Sequence, residues 1–316
     1  MIDPIGNDCV NVGMPYQSVM QSSGKALIVA YPYWGFAQGS TYTMFSDFYS
    51  PQLHNIRDIS VYVPASLQQN NISRSVHVLI VNDGTLFYTS QLAFPGGFDR
   101  AVLSGAVPET IMIGLPQNGT SCERQYELTF SQTIRDLSCT QSGGSDVYFD
   151  FIQQTVVPAV LAQLNLTLAS VSMAGVSYGG LTSCYAASAR PQYFSRVFCQ
   201  SPSTWWNYGQ LNQVIGTNAL NMTNGTGLPS SVSFYIGTIE MEVPQCANAA
   251  CSVTIPWFDY VNDTLYAFLA AGVPASSLFF YTLNGRCKWA GVPYLVHYTK
   301  PNTYRASTSA TCNYHL

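Results

Sequence analysis

One short run in the chain has the residue types and spacing for nucleophilic chemistry: Gly175-Val176-Ser177-Tyr178-Gly179, with Gly180 directly after it. A serine hydroxyl becomes an acyl-transfer nucleophile when a sharp strand-to-helix turn holds it out of the sheet. Small residues flank such a turn because side chains there would strike the neighbouring backbone. The helix that follows aims its N-terminus at the site and favours negative charge developing there. The five-residue pattern alone is weak. Its setting is more informative: an apolar run at 170–174 precedes it, and the small-residue run Leu181-Thr-Ser-Cys-Tyr-Ala-Ala-Ser-Ala follows. The chemistry implied is acyl transfer through a covalent acyl-serine.

A serine at such a turn needs a sheet to carry it, and the pattern of the chain supplies one. Residues 59–63 alternate apolar and polar, predicting a half-buried strand that stops at Pro64. Residues 76–81 are a more continuous apolar run closed by Asn82-Asp83-Gly84, predicting a central parallel strand with a turn at its carboxyl end. Residues 110–114 predict another. A helix is expected over 146–164, with Ser145 as N-cap and Phe149, Ile152, Val156 and Val160 on one apolar face. Pro158 inside it predicts a kink or a short break. Strands at 170–174, 197–200, 232–236 and 278–283 follow, with helices through Ala189 and over 257–271. Strands alternating with helices predict an α/β fold: a mostly parallel sheet with helices on both faces. Residues 1–40 are expected to form an N-terminal extension with at most one or two strands. Residues 41–298 form the domain, and 299–316 a C-terminal tail.

Composition narrows the setting. Charged residues are 9% of the chain, against roughly 25% in a typical soluble domain. The net charge of −4 provides no basic surface for nucleic acid. No run of 18 apolar residues exists, so no transmembrane helix is expected. Six N-glycosylation sequons, at Asn71, Asn118, Asn165, Asn221, Asn224 and Asn262, offer another source of solubility, with N-linked glycans as partners. The 21 tyrosines suit half-buried interfaces, which raises self-association or an extracellular partner. Nine cysteines without paired zinc spacing point to disulfides rather than a metal, and no cofactor is implied. Cys122 with Cys139, Cys246 with Cys251, and Cys287 with Cys312 are the candidate pairs. Together these features predict a secreted or cell-surface protein, although Met1 to Asp8 lacks the basic and apolar regions of a signal peptide.

Four stretches resemble the esterase D-like, or Putative esterase, family of α/β-hydrolases, which includes feruloyl esterases, enterobactin-type siderophore esterases and mycolyltransferases. They are residues 48–64; Val78 through Gly84; Arg124-Gln-Tyr-Glu-Leu-Thr with the later Gly143-Gly144 and the helix that holds Phe149; and Gly175 through Trp206, which contains Gln200-Ser-Pro-Ser-Thr-Trp-Trp. The resemblance implies an α/β-hydrolase fold and a Ser–acid–His site. It places the nucleophile at Ser177 and the oxyanion hole at the N–H groups of Tyr178 and Thr85. It places the acid at Glu240, in Gly237-Thr238-Ile239-Glu240, with Glu242 nearby. Trp205-Trp206 falls where the family carries aromatics near its pocket.

The sequence departs from the family at the base. The family's catalytic histidine lies in a Gly-Gly-His-x-Trp turn after the last strand. This chain has Gly285-Arg286-Cys287-Lys288-Trp289 there, which puts Cys287 at the histidine position. The four histidines, His54, His77, His297 and His315, all lie elsewhere. A serine hydroxyl without a base is a poor nucleophile. Lys288 as base, or His297 folding back, are the two routes of rescue. Two functions follow: a degenerate, secreted, esterase-like glycoprotein with a structural or binding role, which the missing base favours, or an active extracellular carboxylesterase.

Overall fold

The computed structural model of the chain describes residues 17–19, 28–30, 40–68, 74–84, 94–117, 119–132, 139–223, 228, 233–239 and 257–283. Two short strands, β1 (Gln17–Val19) and β2 (Ile28–Ala30), pair antiparallel with each other. The remaining strands are β3 (Thr41–Ser50), β4 (Asn55–Val63), β5 (Arg74–Asn82), β6 (Thr110–Leu115), β7 (Leu166–Ser177), β8 (Phe194–Pro202), β9 (Ser233–Ile239) and β10 (Leu278–Leu283). They form one eight-stranded sheet in the order β10-β9-β8-β7-β5-β6-β4-β3. β4 runs antiparallel to both neighbours, and every pairing from β6 to β10 is parallel.

That order fixes where a site can form. From β5 the chain adds β6 on one side, then crosses to add β7 on the other. The carboxyl ends of β5 and β7 therefore border the crevice where the winding reverses, the place where open α/β sheets bind ligands. Asn82 ends β5 and Ser177 ends β7.

The helices are α1 (Ala65–Gln68), α2 (Phe94–Leu103), α3 (Ser121–Glu127), α4 (Ser145–Phe151), α5 (Val157–Leu164), α6 (Tyr178–Ala189), α7 (Gln210–Thr223) and α8 (Trp257–Ala270). Val76, Val78, Ile80, Ile111 and Ile113 meet Phe149, Ile152, Val160 and Leu181 in one core on one face of the sheet. Tyr62, Val81, Met112 and Val176 meet Phe98 and Val102 of α2 in a smaller core on the other. Phe149, Ile152, Val156 and Val160 are all fully buried, the single face that their spacing predicts. Each such side chain contributes about 1.5–3 kcal/mol by leaving water.

Two local expectations are corrected. Gly144, not Ser145, is the N-cap of α4, and the Ser145 hydroxyl instead donates to the Glu127 carbonyl at 3.2 Å. The interruption expected at Pro158 falls in the turn just before it. A π-helical turn, Ile152–Val156, joins α4 to α5, which leaves Pro158 in the first turn of α5. There its missing N–H costs little, and the widened turn relieves the clash with the carbonyl one turn back. The hydrophobic pattern predicts neither the edge strand β3 nor the helices α1, α2, α3 and α7.

Candidate active site

Ser177 is the last residue of β7, and its backbone sits at φ 60°, ψ −120°, a region that residues with side chains rarely enter. The strand thus turns abruptly into α6, and Ser177 stays partly exposed while Gly179 and Gly180 behind it are buried. The glycine spacing has a steric cause. A Cβ on Gly175 would lie 2.4 Å from the Gly179 carbonyl carbon, and one on Gly179 would lie 2.9 Å from Asn82 Cβ. Tyr178 is the first residue of α6, so its N–H is among those that intrahelical bonds do not use. That geometry suits an oxyanion donor.

Asn82 locks the elbow to β5. Fully buried, it donates through Nδ2 to the Gly179 carbonyl at 3.0 Å and to Ser183 Oγ at 3.2 Å. Its Oδ1 accepts from the Tyr148 hydroxyl at 2.9 Å. Burial first, then the nearby Glu127 carboxylate, pushes the Tyr148 hydroxyl well above its ordinary pKa, with Arg57 opposing. Tyr148 therefore keeps the proton it donates.

The next residue, Asp83, has φ 55° and a nearly buried side chain. It accepts two bonds from Arg124 of α3, from Nε at 2.8 Å and from Nη2 at 2.7 Å. Arg124 in turn lies over the Tyr178 ring, 5.2 Å from its centre. Burial alone would lower the guanidinium's pKa, but its bonds to Asp83 outweigh that, and the net shift is upward. One turn on, Glu127 pairs with the buried Arg57 at 2.9 and 2.5 Å. The short helix α3 that carries both pairs is itself held by a capping box between Thr120 and Glu123 and by the disulfide Cys122–Cys139.

Trp206 packs edge-on against Tyr178 with centroids 5.6 Å apart, and its indole N–H faces Ser131. At 2% exposure Trp206 is core, whereas Trp205 remains partly open beside the elbow. Ser203, the third residue of Ser201-Pro-Ser-Thr-Trp-Trp, places its Oγ 3.2 Å from Ser177 Oγ.

Of the residues that the resemblance implies, the structure brings Ser177 and Tyr178 to one point at the crevice. Thr85, Glu240, Glu242, Cys287, Lys288, His297 and His315 lie outside the described residues, as do Asn71, Asn118, Asn224, Cys246, Cys251 and Cys312. The two described histidines sit on other elements. His54 sits in the turn between β3 and β4. His77 pairs across the sheet with Ser170, and its Nδ1 lies 2.7 Å from Ser170 Oγ. Seven strand residues, roughly 20 Å, separate Ser170 from Ser177. Burial, and then Arg196, lowers the His77 pKa. Among the described residues no group of three or more His, Cys, Asp or Glu side chains gathers as a metal site, and no helix is long and apolar enough to cross a membrane.

A second disulfide, Cys184–Cys199, ties α6 to β8 beneath the elbow, and both cysteines are fully buried. Sequence reading missed it, along with the roles of Asn82, Arg124 and Ser203. No spacing in the chain links Asn82 to Gly179 and Ser183, which lie 97 and 101 residues later.

The Putative esterase family model matches residues 50–243. A siderophore triacetylfusarinine C esterase from Aspergillus fumigatus is 35% identical over 136 residues, which is 41% of this chain and 44% of that protein. The chain thus aligns with less than half the length of that relative. Among solved structures, the BES protein from Bacillus cereus superposes with a TM-score of 0.62 at 17% identity, over 84% of this chain and 97% of that one. The siderophore hydrolase EstA from Aspergillus nidulans gives 0.60 at 17% identity, over 82% and 95%. At these identities the structural likeness speaks for the α/β-hydrolase fold.

Proposed function

Since the chain belongs to the Putative esterase family, we propose that it is a serine hydrolase of carboxylic esters that forms its acyl-enzyme on Ser177. The observation that carries this reading is the backbone of Ser177. Its φ of 60° and ψ of −120° cost about 1–3 kcal/mol in a residue with a side chain. The strain is what turns Oγ off the end of the strand toward the crevice.

In this reading the carbonyl oxygen of the ester sits against the N–H groups of Tyr178 and Thr85. Ser177 Oγ attacks the acyl carbon, the alcohol departs, and water then releases the acid. Glu240 orients the base. The base takes the proton of Ser177, and with Cys287 at the histidine position that duty falls to Lys288 or His297. A siderophore ester, the class named for the 35%-identical relative, is the first substrate to offer. The disulfides Cys122–Cys139 and Cys184–Cys199 support folding in an oxidising compartment, consistent with an extracellular protein carrying N-linked glycans.

A second reading is a folded family member without turnover, retained as a secreted glycoprotein that binds a partner or associates with itself. Cys287 at the histidine position and the charged fraction of 9% favour it.

The test is labelling of the folded protein with a fluorophosphonate, the adduct mapped by mass spectrometry and Ser177→Ala as control. A stoichiometric adduct on Ser177 supports the hydrolase. A folded protein that takes no label sinks that reading and leaves the second.

A further inference from the structure

Ser203 is fully buried, and its side chain has one hydrogen-bond partner among the described residues, the Oγ of Ser177 at 3.2 Å. Buried hydroxyls are nearly always hydrogen-bonded, so this contact is where the Ser203 proton or lone pair goes. The backbone binds the same two residues a second time, because the Ser203 N–H donates to the Ser177 carbonyl at 3.0 Å. On its other side the Ser203 carbonyl accepts from the Trp206 N–H at 3.0 Å. Ser203 is thus fixed at both ends, and it follows directly on Pro202, which pairs with Ser177 across the β7–β8 register shift.

We propose that Ser203 is a positioning residue for the nucleophile: its hydroxyl donates to Ser177 Oγ, holds that side chain in its attacking rotamer, and stabilises the oxygen when it leaves the acyl group. The inference rests on Ser177 being the nucleophile. Either hydroxyl can donate across this contact, and Ser203 is taken as the donor on chemical grounds. Were Ser203 the acceptor, the Ser177 proton would point at a hydroxyl that cannot take it. With Ser203 as donor, the Ser177 proton is the one that the base takes.

The two half-reactions use this bond differently. In acylation the bond from Ser177 Oγ to the acyl carbon forms, the ester C–O bond breaks, and the proton passes through the base to the departing alcohol. Oγ passes through the same developing alkoxide when it attacks and when it is expelled, so the difference lies in the starting states. The free Ser177 hydroxyl already accepts the Ser203 bond well, whereas the ester oxygen of the acyl-enzyme accepts it poorly. The donor therefore gains less in acylation than in deacylation. In deacylation water attacks the acyl carbon and the bond to Oγ breaks. Oγ then leaves with the electron pair and takes its proton back from the base. A donor already in place stabilises that developing alkoxide, and hydrogen bonds to charged oxygen are about twice as strong as neutral ones. Ser203 keeps its own proton throughout.

The experiment is rapid-mixing kinetics with p-nitrophenyl acetate on wild type, Ser203→Ala and Ser203→Thr, with thermal melts to confirm folding. The burst reports acylation and the steady state reports deacylation. Ser203→Ala should slow deacylation by about tenfold and acylation by clearly less, and Ser203→Thr, which keeps the donor, should recover most of the loss. Unchanged rates in Ser203→Ala would overturn the role of Ser203 while leaving Ser177 as nucleophile, as would equal slowing by Ala and Thr in folded proteins. A folded wild type with neither a burst nor a fluorophosphonate adduct would overturn both.

Discussion

Arg124 grips Asp83 with two parallel bonds, at 2.8 and 2.7 Å, and lays the same guanidinium 5.2 Å above the ring of Tyr178. One side chain thereby connects the end of β5 to the residue whose N–H completes the elbow. The Asp83 side chain is 4% exposed and that of Arg124 is 19% exposed, so the carboxylate is the member that suffers if left alone. Arg124→Met should destabilise the fold by about 3–5 kcal/mol, the penalty for stranding a buried charge. Adding Asp83→Asn to Arg124→Met should restore part of that loss, measured from urea midpoints. Strict additivity of the two substitutions would mean that the pair does not couple.

The elbow makes a second, opposite prediction. Ser177→Ala and Ser177→Gly both remove the hydroxyl and its contact with Ser203. Only glycine tolerates φ 60°, ψ −120° without strain. Ser177→Gly should therefore be more stable than Ser177→Ala by about 1 kcal/mol, after glycine's extra unfolded-state entropy is offset against the relief. Equal thermal midpoints for the two variants would remove the strain on which the catalytic reading of Ser177 rests.

The elbow was legible in the sequence because its constraint is local: three glycines within six residues, between an apolar strand and a small-residue helix. The strands 76–81, 110–114 and 278–283 were legible for the same reason, their apolar runs being short and bounded. Ser203 was not, since its approach to Ser177 depends on how β8 registers against β7, including a shift between Val176 and Ser177. Cys184–Cys199 was hidden likewise: the two cysteines belong to a helix and a strand that meet only once α6 packs on the sheet. Arg124 stood in a recognisable stretch, but its partner Asp83 lies 41 residues earlier and reaches it only through the turn at the end of β5.

The two described disulfides should differ in their response to reductant. Cys122 and Cys139 are partly exposed, while Cys184 and Cys199 have no accessible surface. Thiol–disulfide exchange needs access to sulfur. Millimolar dithiothreitol under native conditions should open Cys122–Cys139 first and leave Cys184–Cys199 intact until the protein unfolds. Removing the buried bridge with Cys184→Ala and Cys199→Ala should cost about 2–4 kcal/mol. Differential alkylation followed by peptide mass spectrometry reads the order directly, and simultaneous opening of both bridges in the native state would contradict it.

The three sequons with a described asparagine side chain are not equivalent acceptors. Asn165 is exposed at the left-handed cap of α5, φ 53°, in the turn before β7, with Thr167 exposed beside it. Asn221 is exposed near the end of α7. Each also neighbours an uncovered leucine, Leu168 at 41% and Leu220 at 64%, which a glycan would shield. Asn262 lies inside α8, and its sequon threonine, Thr264, is fully buried with its hydroxyl donating to Asn212 Oδ1 at 2.9 Å. Glycosylation acceptors belong to surface turns, and a buried, committed hydroxyl is poorly placed to take part. Protein secreted from a eukaryotic host should therefore carry glycans at Asn165 and Asn221 and none at Asn262, read by deglycosylation in heavy-oxygen water and peptide mapping. Replacing Asn165 and Asn221 by Gln should increase aggregation, because Leu168 and Leu220 would then face water unshielded. Full occupancy at Asn262 with Asn165 bare would mean that the folded surface plays no part in choosing the sites.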